Sequence, residues 1–302
     1  MIFLNNKLVR KDKAMISVFD HGFLYGDGIY ETLRAYNGVV FMLDKHIERL
    51  FRSASLIQLT IHKNADAIKK AVYQTLRANG LREAVIRITV SRGPGPSGLD
   101  PELCKKPTFV IFATKFIEYP KQCYGKGVKI SIVKTRRNIF SALNPQIKSL
   151  NFLNNVLAKI EAKKENSFEA LMLNYRGYLA EGTVSNVFFL KGNSLYTPGI
   201  SAGILDGITR KTVLAIAREY GFKIRQGKFR KNTIYGAEEV FLSNTTMEVM
   251  PVSSVDNVRI GTKAGKTTKL LHQAYKQKVA DYINREIRWS EASRLHGGDS
   301  KK

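Results

Sequence analysis

The chain has 302 residues, 44% hydrophobic and 25% charged, a composition that suits one large or two ordinary globular domains. Its net charge of +24 comes from Lys and Arg scattered from Lys7 to Lys302 with no aromatic-interleaved basic module, so it reads as a solvated surface and no nucleic-acid partner is expected. No apolar run nears the ~20 residues that span a bilayer, residues 1–6 turn polar too quickly for a signal peptide, and Cys104 and Cys123 have neither metal-ligand nor disulfide spacing, so the expectation is a reducing cytoplasm, no membrane and no metal.

In chain order, the first stretch ends in a turn set at 19–28. Residues 44–59 carry Ile47, Leu50, Phe51, Ala54 and Ile57 at helical spacing, and a second helical pattern through Ile68, Ala71, Val72, Thr75 and Leu76 stops at Asn79-Gly80. Two β-branched runs, 84–91 and 107–114, flank a glycine-proline loop at 92–98 and predict strands. Together these make a small α/β N-terminal domain, residues 1–116. Residues 117–127 have turn formers without period and read as an interdomain loop, ahead of a larger domain over 128–302. That domain is expected to hold strands at 128–133, 168–173, 184–190 and 238–243 and helices at about 152–165 and 210–220. It ends in a helix using Leu270, Leu271, Tyr275, Val279 and Ile283 and a frayed tail at 296–302.

Three chemical handles fall in residues 146–210. Lys148 lies between an irregular segment, 137–147, and a helix rich in small and apolar side chains. A lysine alone is ordinarily a surface residue, but one held partly desolvated can offer a neutral amine near neutral pH. Glu181 sits in a Glu-Gly-Thr turn before the apolar run at 184–190 and is either a loop carboxylate or an anion for a cationic ring. Gly207-Ile208-Thr209 opens a helix whose free N–H groups can seat an anion, although a plain N-cap looks the same. Ser243-Asn244-Thr245-Thr246 gives a second hydroxyl-rich turn, and Arg49, between apolar helix positions, can snorkel to a bidentate phosphate contact. Pyridoxal 5'-phosphate (PLP) needs an amine for its aldehyde, an anion beside its ring nitrogen and donors for its phosphate.

Six blocks carry a resemblance to a known family: DHGFLYGDGIYETLRAYNG (20–38), HIERLFRSA (46–54), IKSLNFLNNVLAKIEA (147–162), EGTVSNVFFL (181–190), GILDGITRKTV (203–213) and FLSNTTMEVMPV (241–252). In this order the chain resembles the class IV aminotransferases, the fold-type IV PLP enzymes, over about residues 2–285. The resemblance implies an α+β, two-domain fold whose larger domain has a β-barrel-like core. It implies Lys148 as the catalytic lysine that bonds the cofactor and moves a proton. Glu181 would be the ring-nitrogen partner, Arg49, Gly207, Ile208, Thr209 and Thr245 phosphate contacts, and Leu205 the residue packed on the ring. Tyr25, Tyr30, Arg34 and Arg87 would face the substrate, and backbone donors of Thr245-Thr246 would take its carboxylate. Arg87 and the loop at 91–101 are similar to prokaryotic branched-chain enzymes, and the loop has no Arg-x-His pair of the D-amino acid type. Phe152 and Val85, in contrast, replace two tyrosines usual in the branched-chain group. The implied activity is transfer of an amino group from an amino acid, foremost an L-branched-chain one, to a 2-oxo acid. The implied assembly is a homodimer whose partner lends a loop to each site. D-amino acid transamination, aminodeoxychorismate lysis and a basic binding protein on a catalytically dead scaffold are the competing expectations.

Overall fold

The computed structural model describes the backbone of residues 1–296 and the side chains of residues 1–289. A first, antiparallel sheet holds β1 (Ile2–Leu4), β2 (Lys7–Val9), β3 (Gly28–Tyr36), β4 (Val39–Val40), β5 (Ala84–Ser91) and β6 (Thr108–Lys115), in the order β2-β1-β6-β5-β3-β4. Its odd-numbered β3 residues Ile29, Leu33 and Ala35 pack with helices α2 (Leu43–Leu56) and α3 (Ala65–Ala78), following helix α1 (His21–Tyr25). The even-numbered ones, Tyr30, Thr32, Arg34 and Tyr36, point the other way, as the two-residue period of a strand requires.

The second sheet holds β7 (Val128–Ile132), β8 (Glu169–Leu173), β9 (Leu179–Gly182), β10 (Asn186–Lys191), β11 (Ser194–Pro198), β12 (Lys223–Gly227), β13 (Glu239–Asn244), β14 (Glu248–Val255) and β15 (Val258–Arg259). They run β12-β11-β10-β13-β14-β7-β8-β9, with β15 on β14, and the sheet curls so that β9 returns against β10 and β11. The β7/β8 and β11/β12 pairs are parallel because helices α5 (Leu153–Lys164) and α6 (Ile208–Glu219) cross between their strands. Strand β10 is buried on both faces. Phe188 and Leu190 pack with α6 and with helix α8 (Lys266–His296), while Val187 and Phe189 face the interior of the curl.

Several expectations need correction. Residues 117–127 include a short helix, α4 (Lys121–Lys126), and a further one, α7 (Lys231–Tyr235), precedes β13. Glu181 lies on strand β9, not in a turn. In α8, Leu271, Tyr275, Val279 and Ile283 are buried as expected, but Leu270 is exposed. Of the expected tail, residues 297–302 lie outside the described residues.

Candidate active site

A cavity of about 290 Å³ opens between the two sheets. Tyr30 and Thr32 of β3 and Arg87 of β5 form one wall. Glu181, the 183–186 turn, Leu205, the start of α6 and residues 243–246 form the other, and Lys148 comes from the irregular segment before α5. Of the expected residues, Lys148, Arg49, Glu181, Leu205, Gly207, Ile208, Thr209, Thr245, Tyr30, Arg87 and Thr246 all line it.

Lys148 is held by its backbone rather than by a regular element. Tyr30 N donates to Lys148 O at 2.9 Å, Leu150 N to Gly28 O at 2.8 Å, and Lys148 N to Ser53 Oγ at 3.2 Å. These bonds lay residues 148–150 along the edge of β3 and leave the side chain free to enter the cavity. Its Nζ lies 4.4 Å from the centroid of the Tyr30 ring, and among the described residues no carboxylate pairs with it.

Across the cavity Glu181 is buried. One oxygen accepts from Arg137 Nε at 2.8 Å, and the other from Leu205 N at 2.9 Å and Asn186 Nδ2 at 3.2 Å. Burial pushes its pKa up, and Arg137, the Leu205 N–H and the more distant Lys148 only partly oppose it. A carboxylate has about four acceptor directions, so three donors leave room for one more, and a cation there would complete the compensation. Sequence reasoning missed both Arg137 and Asn186. The only available signals were the Arg136-Arg137 doublet in an aperiodic run and the asparagine inside the EGTVSN block.

The third corner is built for an anion. Gly207 caps α6 with no side-chain hydrogen bond, so the first N–H groups of that helix keep their positive end open. A Cβ on Gly207 would collide with Asn186 Oδ1, which is why this cap has no side chain. Ser243 Oγ, on the same cavity, is buried with no partner among the described residues. Arg49 reaches the corner from α2, where its Nη1 donates to Asp206 O at 3.3 Å. An unpaired lysine, an undercompensated carboxylate and an open anion seat with an orphaned hydroxyl fit the aldehyde, ring nitrogen and phosphate of PLP respectively.

Two expected residues do not line the cavity. Arg34 is on the same face of β3 as Tyr30, but four residues carry it about 13 Å further along the strand, past the cavity mouth. There its Nη1 donates to Thr246 O at 3.3 Å and lies 3.6 Å from Glu248, while its guanidinium stacks on Phe116. Glu248, in the left-handed backbone region at φ 56°, also accepts from Tyr36 and pairs with His272, so this group braces the 244–247 turn from behind. Tyr25 is turned outward because Gly26, at φ 68° against Asn151, ends α1 there; its hydroxyl accepts from Gly98 N at 3.1 Å. The Thr246 N–H is already bonded to Asn244 Oδ1 at 2.9 Å, so the Thr245-Thr246 pair does not offer the substrate two free backbone donors. Tyr119, from the supposed linker, lines the cavity 3.4 Å from Thr246 Oγ1. Phe152 meets Tyr30 edge-on at 5.7 Å and presents no hydroxyl.

The sequence model of a family described as "Amino-transferase class IV" matches residues 28–255. A Methanocaldococcus jannaschii protein named, provisionally, branched-chain-amino-acid aminotransferase is 42% identical over 276 residues, covering 91% of this chain and 95% of the relative. The aminodeoxychorismate lyase of Bacillus subtilis is 32% identical over 286 residues, covering 94% and 96%. Among solved structures, the T.th. branched-chain amino acid aminotransferase with pyridoxamine 5'-phosphate superposes with a TM-score of 0.89 at 29% identity, covering 92% of this chain and 93% of that one.

Proposed function

Because the chain belongs to the class IV aminotransferase family, whose members are PLP enzymes, we propose that this cavity transfers the amino group of an L-branched-chain amino acid to a 2-oxo acid such as 2-oxoglutarate, in two successive half-reactions. The observation that carries the reading is the trio of Lys148, Glu181 and the uncapped start of α6 around one cavity. Bound there, PLP supplies an aldehyde that takes up the donor's amine and a protonated ring that draws electrons from the donor's Cα.

Arg49, the α6 N–H groups, Ser243 and Thr245 hold the phosphate. Glu181 holds the proton on the ring nitrogen, kept in place by Arg137, Asn186 and the Leu205 N–H. Lys148 would hold the cofactor through its amine, and that same amine, free on the cavity, would carry the proton to and from the donor Cα. Leu205 would pack against the ring, and Tyr30, Phe152, Ile147 and Tyr119 supply an apolar wall for a branched side chain and keep water out. Arg87, its guanidinium 3.5 Å from the Tyr30 ring centroid, is the cation for a substrate carboxylate, assisted by the Thr246 hydroxyl.

We place the enzyme in the cytoplasm as a homodimer. Phe23, Leu99, Phe140 and Leu153 are each 64–82% exposed, and Leu153, Val156, Leu157 and Ile160 form an exposed apolar stripe on α5. Tyr25 belongs to this outward surface and on this reading serves the partner's site. Light scattering that returns a monomer at working concentration sinks the dimer.

The kinship to a lyase gives a second reading, elimination of pyruvate from aminodeoxychorismate. One screen separates the alternatives: holoenzyme is mixed with single L- or D-amino acids, or with aminodeoxychorismate, while the cofactor's absorbance and keto-acid release are followed. Leucine, isoleucine and valine are expected to convert the cofactor. Conversion by D-alanine alone, or pyruvate from aminodeoxychorismate alone, overturns the assignment.

A further inference from the structure

Behind the anion seat lies a buried charged cluster of which only Arg49 reaches the cavity. Glu31 on β3 is fully buried, and its oxygens accept from Arg49 Nε at 2.7 Å and Arg49 Nη2 at 2.8 Å, with His46 Nδ1 at 2.7 Å from the second. His46 is buried as well, and burial drives its pKa down, so the neutral ring donates its Nδ1–H to Glu31. The strand period explains the placement. Glu31 points to the α2 side of the sheet while its neighbours Tyr30 and Thr32 face the cavity, so one strand serves both layers.

A guanidinium carries five N–H groups in a fixed fork. In Arg49, two go to Glu31 and one to Asp206 O. One N–H on Nη1 and one on Nη2 remain, and Arg49 is itself 5% exposed on the wall of the cavity. The bidentate bond to Glu31 fixes the plane of the fork, and the Asp206 carbonyl fixes its tilt. The two unused N–H vectors are thereby set before any ligand arrives, and preorganised donors bind an oxyanion more tightly than mobile ones.

We propose that Glu31, seconded by His46, is a positioning residue for the phosphate group of the cofactor: it locks the Arg49 fork and so makes the seat select the phosphorylated cofactor over pyridoxal. The proposal rests on the reading of Arg49 as a phosphate contact. It predicts an effect on the ratio of two affinities, which a general loss of structure would leave unchanged.

The test measures binding of PLP and of pyridoxal to the apo-protein by the absorbance of the bound cofactor, in wild type, Glu31→Gln, Glu31→Asp and Arg49→Lys. Wild type is expected to prefer PLP strongly. Glu31→Gln is expected to lower the PLP-to-pyridoxal ratio about tenfold or more, the scale of one charge-assisted hydrogen bond, with pyridoxal affinity unchanged. Glu31→Asp, which keeps the charge but draws it back from Arg49, should move the ratio the same way and serves if Glu31→Gln does not fold. In an Arg49→Lys background either change should have no further effect. If Arg49→Lys leaves the ratio at the wild-type value, the phosphate role of Arg49 falls. If Arg49→Lys lowers it while both Glu31 variants keep it, or lose both affinities equally, the positioning role of Glu31 is wrong and the phosphate seat stands.

Discussion

Glu31 and Glu181 are the same residue type and both buried, Glu181 on the cavity wall and Glu31 behind it on the far face of β3, yet their surroundings drive them in opposite directions. Burial alone would raise both. At Glu31, Arg49's charge, its two hydrogen bonds and His46 override burial and hold the carboxylate well below the ordinary range. At Glu181, burial wins, because Arg137 engages it through a single Nε and the remaining donors are an amide and one backbone N–H. A carboxylate closed off by charge anchors a neighbour. One left short of positive charge is a place for a cation to come, and perturbed groups of that second kind concentrate at reactive sites.

The largest effect expected is at the amine that shares the cavity with Glu181. Lys148→Ala should abolish transamination while leaving the far-UV circular dichroism and melting behaviour of the wild type, because that side chain enters the cavity and forms no ion pair among the described residues. Turnover near the wild-type rate would remove Lys148 from the mechanism. Next is Glu181→Gln, which keeps the shape but ends the support of a ring proton. Single-turnover rates of proton transfer should drop about 10²–10⁴-fold, the usual span for a positioned proton-transfer group, with substrate affinity little changed. Equal losses in rate and affinity would make Glu181 a binding residue instead.

The contrast also has a signature in pH. The folded state favours the acid form of Glu181, so its stabilising contribution is full below the ordinary 4.5 and is lost as pH rises through the raised folded value. Glu31 is the reverse: its contribution is full above 4.5 and is lost only as pH falls towards its depressed folded value. Apo Glu181→Gln should therefore melt at or above the wild-type temperature at about pH 8, with the gap closing as the pH falls towards the ordinary glutamate range. Apo Glu31→Gln should be destabilised by about 3 kcal/mol at the same pH, since it leaves Arg49's charge buried without its counterion, and acidification to the same range should not close that gap. Parallel melting curves for the two variants would contradict the opposed assignments.

The residues of this contrast were unequally legible in the sequence. Lys148, Glu181 and the Gly207-Ile208-Thr209 start stood in recognisable blocks, and the two helices of the first layer showed clear 3.6-residue spacing. Glu31 stood in such a block too, but nothing in a strand of alternating faces says which buried carboxylate meets an arginine 18 residues later. Arg137 lies in an aperiodic run whose path is set by tertiary contacts alone. Strand β12 hid because it is a largely exposed edge strand, KIRQG, with no apolar alternation, and β9 because four residues, LAEG, are too few to show a period. Arg34, expected at the substrate only by motif match, is carried along β3 to Thr246 O and Glu248 instead, since a matched motif does not say how far along the strand the cavity ends.

The smallest effect is expected at the wall between the two acids. Phe152 meets Tyr30, the neighbour of Glu31, edge-on at 5.7 Å, on the same cavity that Glu181 lines. A hydroxyl added at its para position would enter the cavity beside the seat proposed for the cofactor ring, where it can donate to a ring oxygen. One net hydrogen bond contributes about 0.5–1.5 kcal/mol, so Phe152→Tyr should tighten PLP about 2- to 10-fold. The response to Glu181→Gln should persist in the Phe152→Tyr background, since the new donor acts on an oxygen and not on the ring nitrogen. If the added phenol instead cancels the Glu181→Gln defect, the ring nitrogen is not where Glu181 acts, and the contrast between the two carboxylates loses its chemical meaning.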